Sequence, residues 1–309
     1  MTLGHKVLGA VAALMLVTPG RMALAVVIAG GDGLGNTNAP VDDPGWANVG
    51  QFNAGHNSAV YLGNRWVLTA YHVLSNDHPS QVRLAGTWYG LDTNSWTRIT
   101  NASGTHADMV LVRTTITPPL PDVTLRSTQI PNNASLLMIG NGRQRHPTNS
   151  YWNSAWQETN QAAAVYTGFL MTGGFLAQRW GSNTIVNAQK SVSVGDTYFG
   201  VTTTSFRVYF DEGVGADEAQ ATIGDSGGPV FYNSGSTWQL VGMMFNMSVL
   251  SGQPWPSTVV YGDTSWSANL TTSAYYDQLT SAIPEPSTAA LVVVSAVLAG
   301  VVRRRRSRR

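Results

Sequence analysis

The chain of 309 residues is long enough for one or two domains, contains no cysteine and carries a formal net charge of only +1. Cysteine-built metal centres and a disulfide framework are thereby excluded, and short apolar runs broken by Gly, Asn, Ser and Pro, with only 11% charged residues, describe many strands and turns rather than long helices. Setting aside Lys6, Arg21, Glu285 and the six arginines of the last seven positions leaves ten basic against sixteen acidic residues, a body near −6, which argues against a nucleic-acid partner.

Residues 1–25 read as an export leader. Lys6 supplies the positive start, Val7 to Val17 form the apolar run, and Ala23-Leu24-Ala25 fits a small-x-small cleavage pattern. The run is roughly half the ~20 apolar residues that span a bilayer. The body then opens with Val26-Val27-Ile28-Ala29-Gly30-Gly31, and its roughly 258 residues (26–283) can bury a sizeable core without disulfides.

Residues 26–116 are expected to form a first β-barrel. Ser58 to Leu62, a Gly63-Asn64 turn and Trp66 to Ala70 make a hairpin that delivers His72. Further strands are predicted at Gln81–Leu84, Gly86–Tyr89, Trp96–Thr100 and Met109–Arg113, while His56, His78 and His106 read as loop or solvent histidines. In Thr105-His106-Ala107-Asp108-Met109-Val110-Leu111-Val112 a carboxylate stands just before an apolar strand. The proline-rich Thr117-Pro118-Pro119-Leu120-Pro121 opens a stiff connection, residues 117–135.

A second barrel is expected over 136–283, starting with Leu136 to Gly140 and the turn Asn141-Gly142-Arg143. Residues 144–196, rich in Asn, Ser and Thr, are expected to contain an enlarged loop, and Trp152, Trp156 and Trp180 to pack rather than stack on carbohydrate. Val201 to Phe210 partly alternates, as a half-buried strand should. Next comes Thr222-Ile223-Gly224-Asp225-Ser226-Gly227-Gly228-Pro229. Gly224 permits a tight turn and close approach to a substrate. A serine hydroxyl needs a base and nearby N–H groups before it can act as a nucleophile, and the amides of Gly224 and Ser226 can supply such an oxyanion pocket. Strands at Val230–Tyr232, Gln239–Met244 and Thr258–Tyr261 and a helix over Thr272 to Ser281 complete the body.

The hexapeptide GDSGGP resembles the nucleophile loop of chymotrypsin-like serine peptidases. Trp66-Val67-Leu68-Thr69-Ala70-Tyr71-His72-Val73 looks like that family's histidine motif, with Tyr71 where a small residue is usual, and the stretch around Asp108 resembles its buried aspartate. The order His72, Asp108, Ser226 is the one the family requires. An α/β-hydrolase needs its histidine after the serine, and none follows His146; an Asp-His-Ser order would have to use Asp42 or Asp43, which sit in no motif. The resemblance implies an all-β fold of two six-stranded antiparallel Greek-key barrels with a short C-terminal helix. It also implies a serine endopeptidase without cofactor or metal, acting on protein or peptide substrates through an acyl-enzyme.

By the same resemblance, a freed amino group at Val26 or Ile28 pairs with Asp225 and organises the oxyanion pocket; no Arg or Lys precedes either site, which argues against a trypsin-like activating cut. Gln220 would form the base of the primary pocket, and its lack of charge argues against Arg or Lys specificity. Phe245 would stand where the family has a serine that supports the aspartate, and Met247 would narrow the pocket.

Residues 284–309 combine Pro284-Glu285-Pro286, an apolar run from Ala289 to Val302 and an arginine cluster. The cluster holds that end in the cytoplasm, and the run is short for a span. Together these resemble the PEP-CTERM sorting signal of Gram-negative bacteria. That implies transient inner-membrane association, an exosortase-type sorting peptidase as partner, and delivery to the cell surface or extracellular matrix. A catalytically silent binding protein and an esterase on the same scaffold are the alternative readings.

Overall fold

The computed structural model describes residues 26–173, 177–186, 192–196 and 200–283. The expected export leader (1–25) and sorting segment (284–309) lie outside these residues. Among the described residues no helix is long and apolar enough to cross a membrane.

Val27–Ile28 (β1) opens the chain. The first unit follows: Val49–Phe52 (β2), Ser58–Gly63 (β3), Trp66–Thr69 (β4), the helix Tyr71–Asp77 (α1), Gln81–Leu84 (β5), Thr87–Thr100 (β6) and His106–Thr114 (β7). Its six strands close into a barrel in the order β2-β3-β4-β7-β6-β5. Every position of β3 and β4 is buried. The β3–β4 turn falls one residue later than the sequence suggested: Gly63 pairs with Trp66, and Asn64 and Arg65 take the two left-handed positions. The strands predicted at 86–89 and 96–100 are one, β6, which stays continuous through register shifts against β7. Strand β2 and helix α1 were not anticipated.

The second unit comprises Ser135–Gly140 (β8), Ser150–Trp152 (β9), Tyr166–Leu170 (β10), Arg179–Thr184 (β11), Val192–Asp196 (β12), Val201–Tyr209 (β13), Ala219–Gln220 (β14), Pro229–Asn233 (β15), Trp238–Ser248 (β16), Thr258–Val260 (β17), Thr264–Asn269 (β18) and the helix Ser273–Ala282 (α2). Here the expectation of a second six-stranded closed barrel needs correcting. Seven strands form one sheet, β11-β8-β15-β16-β18-β13-β12, because β12 pairs with β13 as an additional edge strand. The sheet curls around an apolar cluster that includes Leu136, Met138, Phe206, Val208, Val230 and Met244. An isolated bridge between Ile185 and Val208 links the end of β11 to β13 in place of a continuous ladder. The 144–196 stretch also holds strands for which no expectation was stated. It supplies β9 and β10, which join β17 in a three-stranded sheet, and it supplies β11 and β12.

The connecting segment is stitched to both halves. Val123 N–H donates to Leu62 O (3.0 Å), and Leu240 N–H donates to Thr124 O (2.8 Å). One apolar cluster runs from β3, β4 and β7 into Ile139, Phe231 and Met243 of the second unit. A cleft lined by residues of both halves lies along this shared seam.

Candidate active site

His72 is the second residue of α1, whose preceding residue, Ala70, offers no side-chain cap. The first amides of a helix have no partner within it. Asp108, fully buried on β7, fills that role: its Oδ1 accepts the His72 main-chain N–H at 2.9 Å, and its Oδ2 lies 2.7 Å from His72 Nδ1. The carboxylate thus caps the helix and fixes the imidazole at once, which assigns chemistry in the cleft to Nε2. The bulky Tyr71 is accommodated against β6, where the Arg98 guanidinium lies 3.7 Å from its ring centroid. From the second unit, Thr203 Oγ1 accepts the Asp108 main-chain N–H at 2.9 Å.

Ser226 faces the same cleft as His72, a cavity of about 520 Å³ also lined by Met244, Phe245, Met247 and Trp255. Among the described residues the Ser226 hydroxyl has no hydrogen-bond partner, so the two groups share the cleft without being bonded in it. The loop around Ser226 is tightly held. Asp225 N–H donates to Thr222 O (3.0 Å), Gly227 N–H to Met244 O (2.7 Å) and Gly228 N–H to Asp225 O (2.8 Å). Among the described residues the amides of Ile223, Gly224 and Ser226 donate to no acceptor, and those of Gly224 and Ser226 flank Asp225. Gly227 has φ +88°, and a Cβ there would lie 2.1 Å from Ser58 O, so only glycine lets the loop approach β3.

Asp225 is buried, its Oδ1 accepting Gly142 N–H (2.8 Å) and its Oδ2 accepting Thr222 N–H (2.7 Å) and the Thr222 hydroxyl (3.1 Å). Among the described residues no cation lies within ion-pair distance of it. Burial pushes its carboxyl up to about 7, against those hydrogen bonds and the field of Arg179. Val26 is buried beside it: a Cβ on Gly140 would lie 2.0 Å from Asp225 Oδ1 and 3.1 Å from Val26 Cγ2.

Burial also raises Glu218 to about 7 and Asp263 to about 6. All three folded values exceed the unfolded value of about 4. Between about pH 4 and pH 7 the folded protein therefore holds more protons than the unfolded chain, and stability falls with rising pH before levelling off. Thermal unfolding should have a higher midpoint at pH 5 than at pH 7.5. A chain beginning at Val26, whose ammonium can reach Asp225, should lose the Asp225 share of this difference and keep that of Glu218 and Asp263.

The pocket residues divide. Phe245 and Met247 line the cleft. Gln220 does not; it pairs with Val27 on β14, fully buried, with neither amide atom hydrogen-bonded, while its neighbour Ala221 lines the cleft. His56, His78 and His106 are exposed, away from the cleft lining.

Comparison with known families bears on this geometry. The family described as trypsin-like peptidase domain matches residues 57–243, more than half of the chain and the part that holds His72, Asp108 and Ser226. The chain belongs to that family. No curated protein matches it. Among solved structures it is similar to the inactive form of a serine-to-alanine mutant of Rv3671c from Mycobacterium tuberculosis, at 13% identity and TM-score 0.47 over 81% of this chain and 99% of that one. It is also similar to the inactive form of the Rv3671c protease, at 14% identity and TM-score 0.45 over 76% and 88%.

Several residues of this trypsin-like domain escaped sequence reasoning. Val249 and Trp255 line the cleft from a loop that Trp156 pins, its Nε1 donating to Ser251 O at 2.9 Å and its ring stacked on Tyr166 at 4.0 Å. The run Pro254-Trp255-Pro256, an aromatic held out on a turn, was the available signal. Thr203 and Ser58 left no signal of their own.

Proposed function

We propose that the protein is an exported serine endopeptidase in which Ser226 attacks the carbonyl of a peptide bond. His72 Nε2 takes the hydroxyl proton as the Oγ–C bond forms and returns it to the leaving amine, giving an acyl-enzyme that water then hydrolyses. Asp108 keeps the Nδ1 proton in place and stabilises the imidazolium. The Gly224 and Ser226 amides hold the tetrahedral oxyanion. The observation that carries this reading is the double contact of Asp108 with His72 at the mouth of the cleft that Ser226 also lines. Substrate binding has to turn the Ser226 hydroxyl toward Nε2, a bond that commonly tightens only in the complex.

The cleft supports a preference for a large apolar side chain on the acyl side of the cut. Met244, Phe245, Met247, Val249 and Trp255 form its apolar walls, and among the described residues the one carboxylate on its lining, Asp77, is engaged by the Asn57 amide at 2.7 Å. Burying such a side chain is worth about 1.5–3 kcal/mol, so kcat/KM for Leu or Phe should exceed that for Ala or Arg by about 10- to 100-fold. Digestion of a peptide library by the purified protein, read by mass spectrometry, measures this directly. Turnover of esters but not peptides would favour an esterase, and neither turnover nor fluorophosphonate labelling would favour a binding protein.

Maturation belongs to the same reading, with leader removal leaving Val26 first so that its ammonium neutralises Asp225. A cut before Ile28 would sacrifice the pairing of Val27 with Gln220 and the buried place of Val26. Buried Arg145 anchors the stretch that follows either cut, its guanidinium donating to the carbonyls of Ile28 (2.7 Å), Ala29 (3.1 Å), Gly30 (2.8 Å) and Gly31 (2.9 Å). Delivery to the cell surface or matrix by an exosortase-type enzyme acting on 284–309 completes the proposal.

A further inference from the structure

We propose that Ser58, from the first barrel, is a positioning residue that sets the oxyanion pocket of the second unit; the inference rests on the hydrolytic reading above. Gly224 and Ser226, the proposed oxyanion donors, have unspent N–H groups and are also the two residues whose carbonyls Ser58 holds. Its Oγ donates to Gly224 O at 2.8 Å, and its main-chain N–H donates to Ser226 O at 3.0 Å. Each oxyanion donor therefore shares its Cα with a carbonyl tied to one side chain or one amide of the facing barrel.

Ser58 is itself fixed. It is fully buried, its Oγ accepts Asn141 N–H at 2.8 Å, and its carbonyl accepts the Thr69 hydroxyl at 2.9 Å. The single hydroxyl proton goes to Gly224 O, and a lone pair receives Asn141. Among the described residues nothing else holds the Gly224 carbonyl, and Gly224, at φ +99°, has a glycine's wide backbone freedom. Without the hydroxyl, the peptide groups on either side of Gly224 can rotate, and the pocket loses the fixed aim on which its stabilisation of developing charge depends. Because the hydroxyl comes from one half of the molecule and the pocket from the other, the same bonds set the serine loop in register with the barrel that carries His72 and Asp108.

The test compares Ser58→Ala, Ser58→Thr and the unaltered protein, with Thr114→Val as a control that loses a buried hydroxyl bond (to Arg65 O, 3.2 Å) elsewhere in the barrel. Ser58→Ala should lower kcat by about 10- to 100-fold, below the full loss of one oxyanion donor, with KM within about threefold. Affinity for a peptide boronic acid, which forms a tetrahedral adduct, should fall in parallel, while affinity for the product peptide should not. Ser58→Thr, which keeps the hydroxyl, should recover most of the rate. If the alanine variant does not fold, Ser58→Cys, similar in shape but a weak donor, should show the same selective loss of kcat. Wild-type kcat in a folded Ser58→Ala protein, or a decline matching that of Thr114→Val, would overturn the proposal. Absence of turnover and of fluorophosphonate labelling in the unaltered protein would instead remove the hydrolytic reading beneath it.

Discussion

Ser226→Ala is expected to abolish fluorophosphonate labelling and to lower kcat by on the order of 10⁴- to 10⁶-fold, the scale seen when a peptidase of this chemistry loses its nucleophile. The labelling reaction needs Oγ to bond to phosphorus as fluoride leaves, with the proton passing to the base. An alanine has no atom that can do this. The same substitution should leave stability within about 0.5 kcal/mol of wild type, because the hydroxyl has no hydrogen-bond partner among the described residues and its removal orphans nothing. The loop is held instead by main-chain bonds from Asp225, Gly227 and Gly228 and by the two bonds from Ser58. Label retained in a folded Ser226→Ala protein would place the nucleophile elsewhere and end the assignment. A large loss of stability would mean that the serine is structural, and the cleft would need another explanation.

The parts of this site that were legible in the sequence are those whose chemistry is local. GDSGGP needs its glycines for contacts a few ångströms away, and a histidine must follow an apolar strand to stand at the barrel's edge. The partner of His72 was legible because Asp108 begins a continuous apolar strand, buried from Ala107 to Val112. What failed to show were strands whose inward face is polar. On β11, Arg179, Gly181 and Asn183 point inward; Asn183 Nδ2 satisfies Tyr209 O (2.7 Å) and Ala219 O (2.8 Å), and Arg179 Nε satisfies Gly35 O (2.6 Å). Strand β18, Thr264–Asn269, is buried at all six positions with serines, a threonine and an asparagine among them. Period-two hydrophobicity cannot reveal a strand that hydrogen-bonds its core side. The role of Ser58 was hidden for a related reason. It depends on a contact between residues 166 apart in sequence, and an isolated serine on an apolar strand carries no mark of it.

Asp108→Asn should cut kcat by about 10⁴-fold at neutral pH with little change in KM, and the geometry explains why no rotamer escapes the loss. Asp108 accepts two N–H groups from one residue, the His72 main chain at 2.9 Å and Nδ1 at 2.7 Å. An asparagine offers one oxygen and one NH₂. If the oxygen keeps the main-chain bond, the NH₂ faces Nδ1, and two donors cannot pair. The imidazole must then carry its proton on Nε2, where it can no longer accept the Ser226 proton. If the amide is turned the other way, the helix loses its cap, at about 1–3 kcal/mol for a buried orphan N–H. Full burial of Asp108 excludes water as a substitute partner. Nitrogen NMR of the imidazole in the variant should report the proton on Nε2, alongside the fall in kcat. A folded variant that retained more than about a tenth of wild-type kcat would mean that the imidazole keeps its active tautomer without the carboxylate, and the three-residue mechanism would have to be given up.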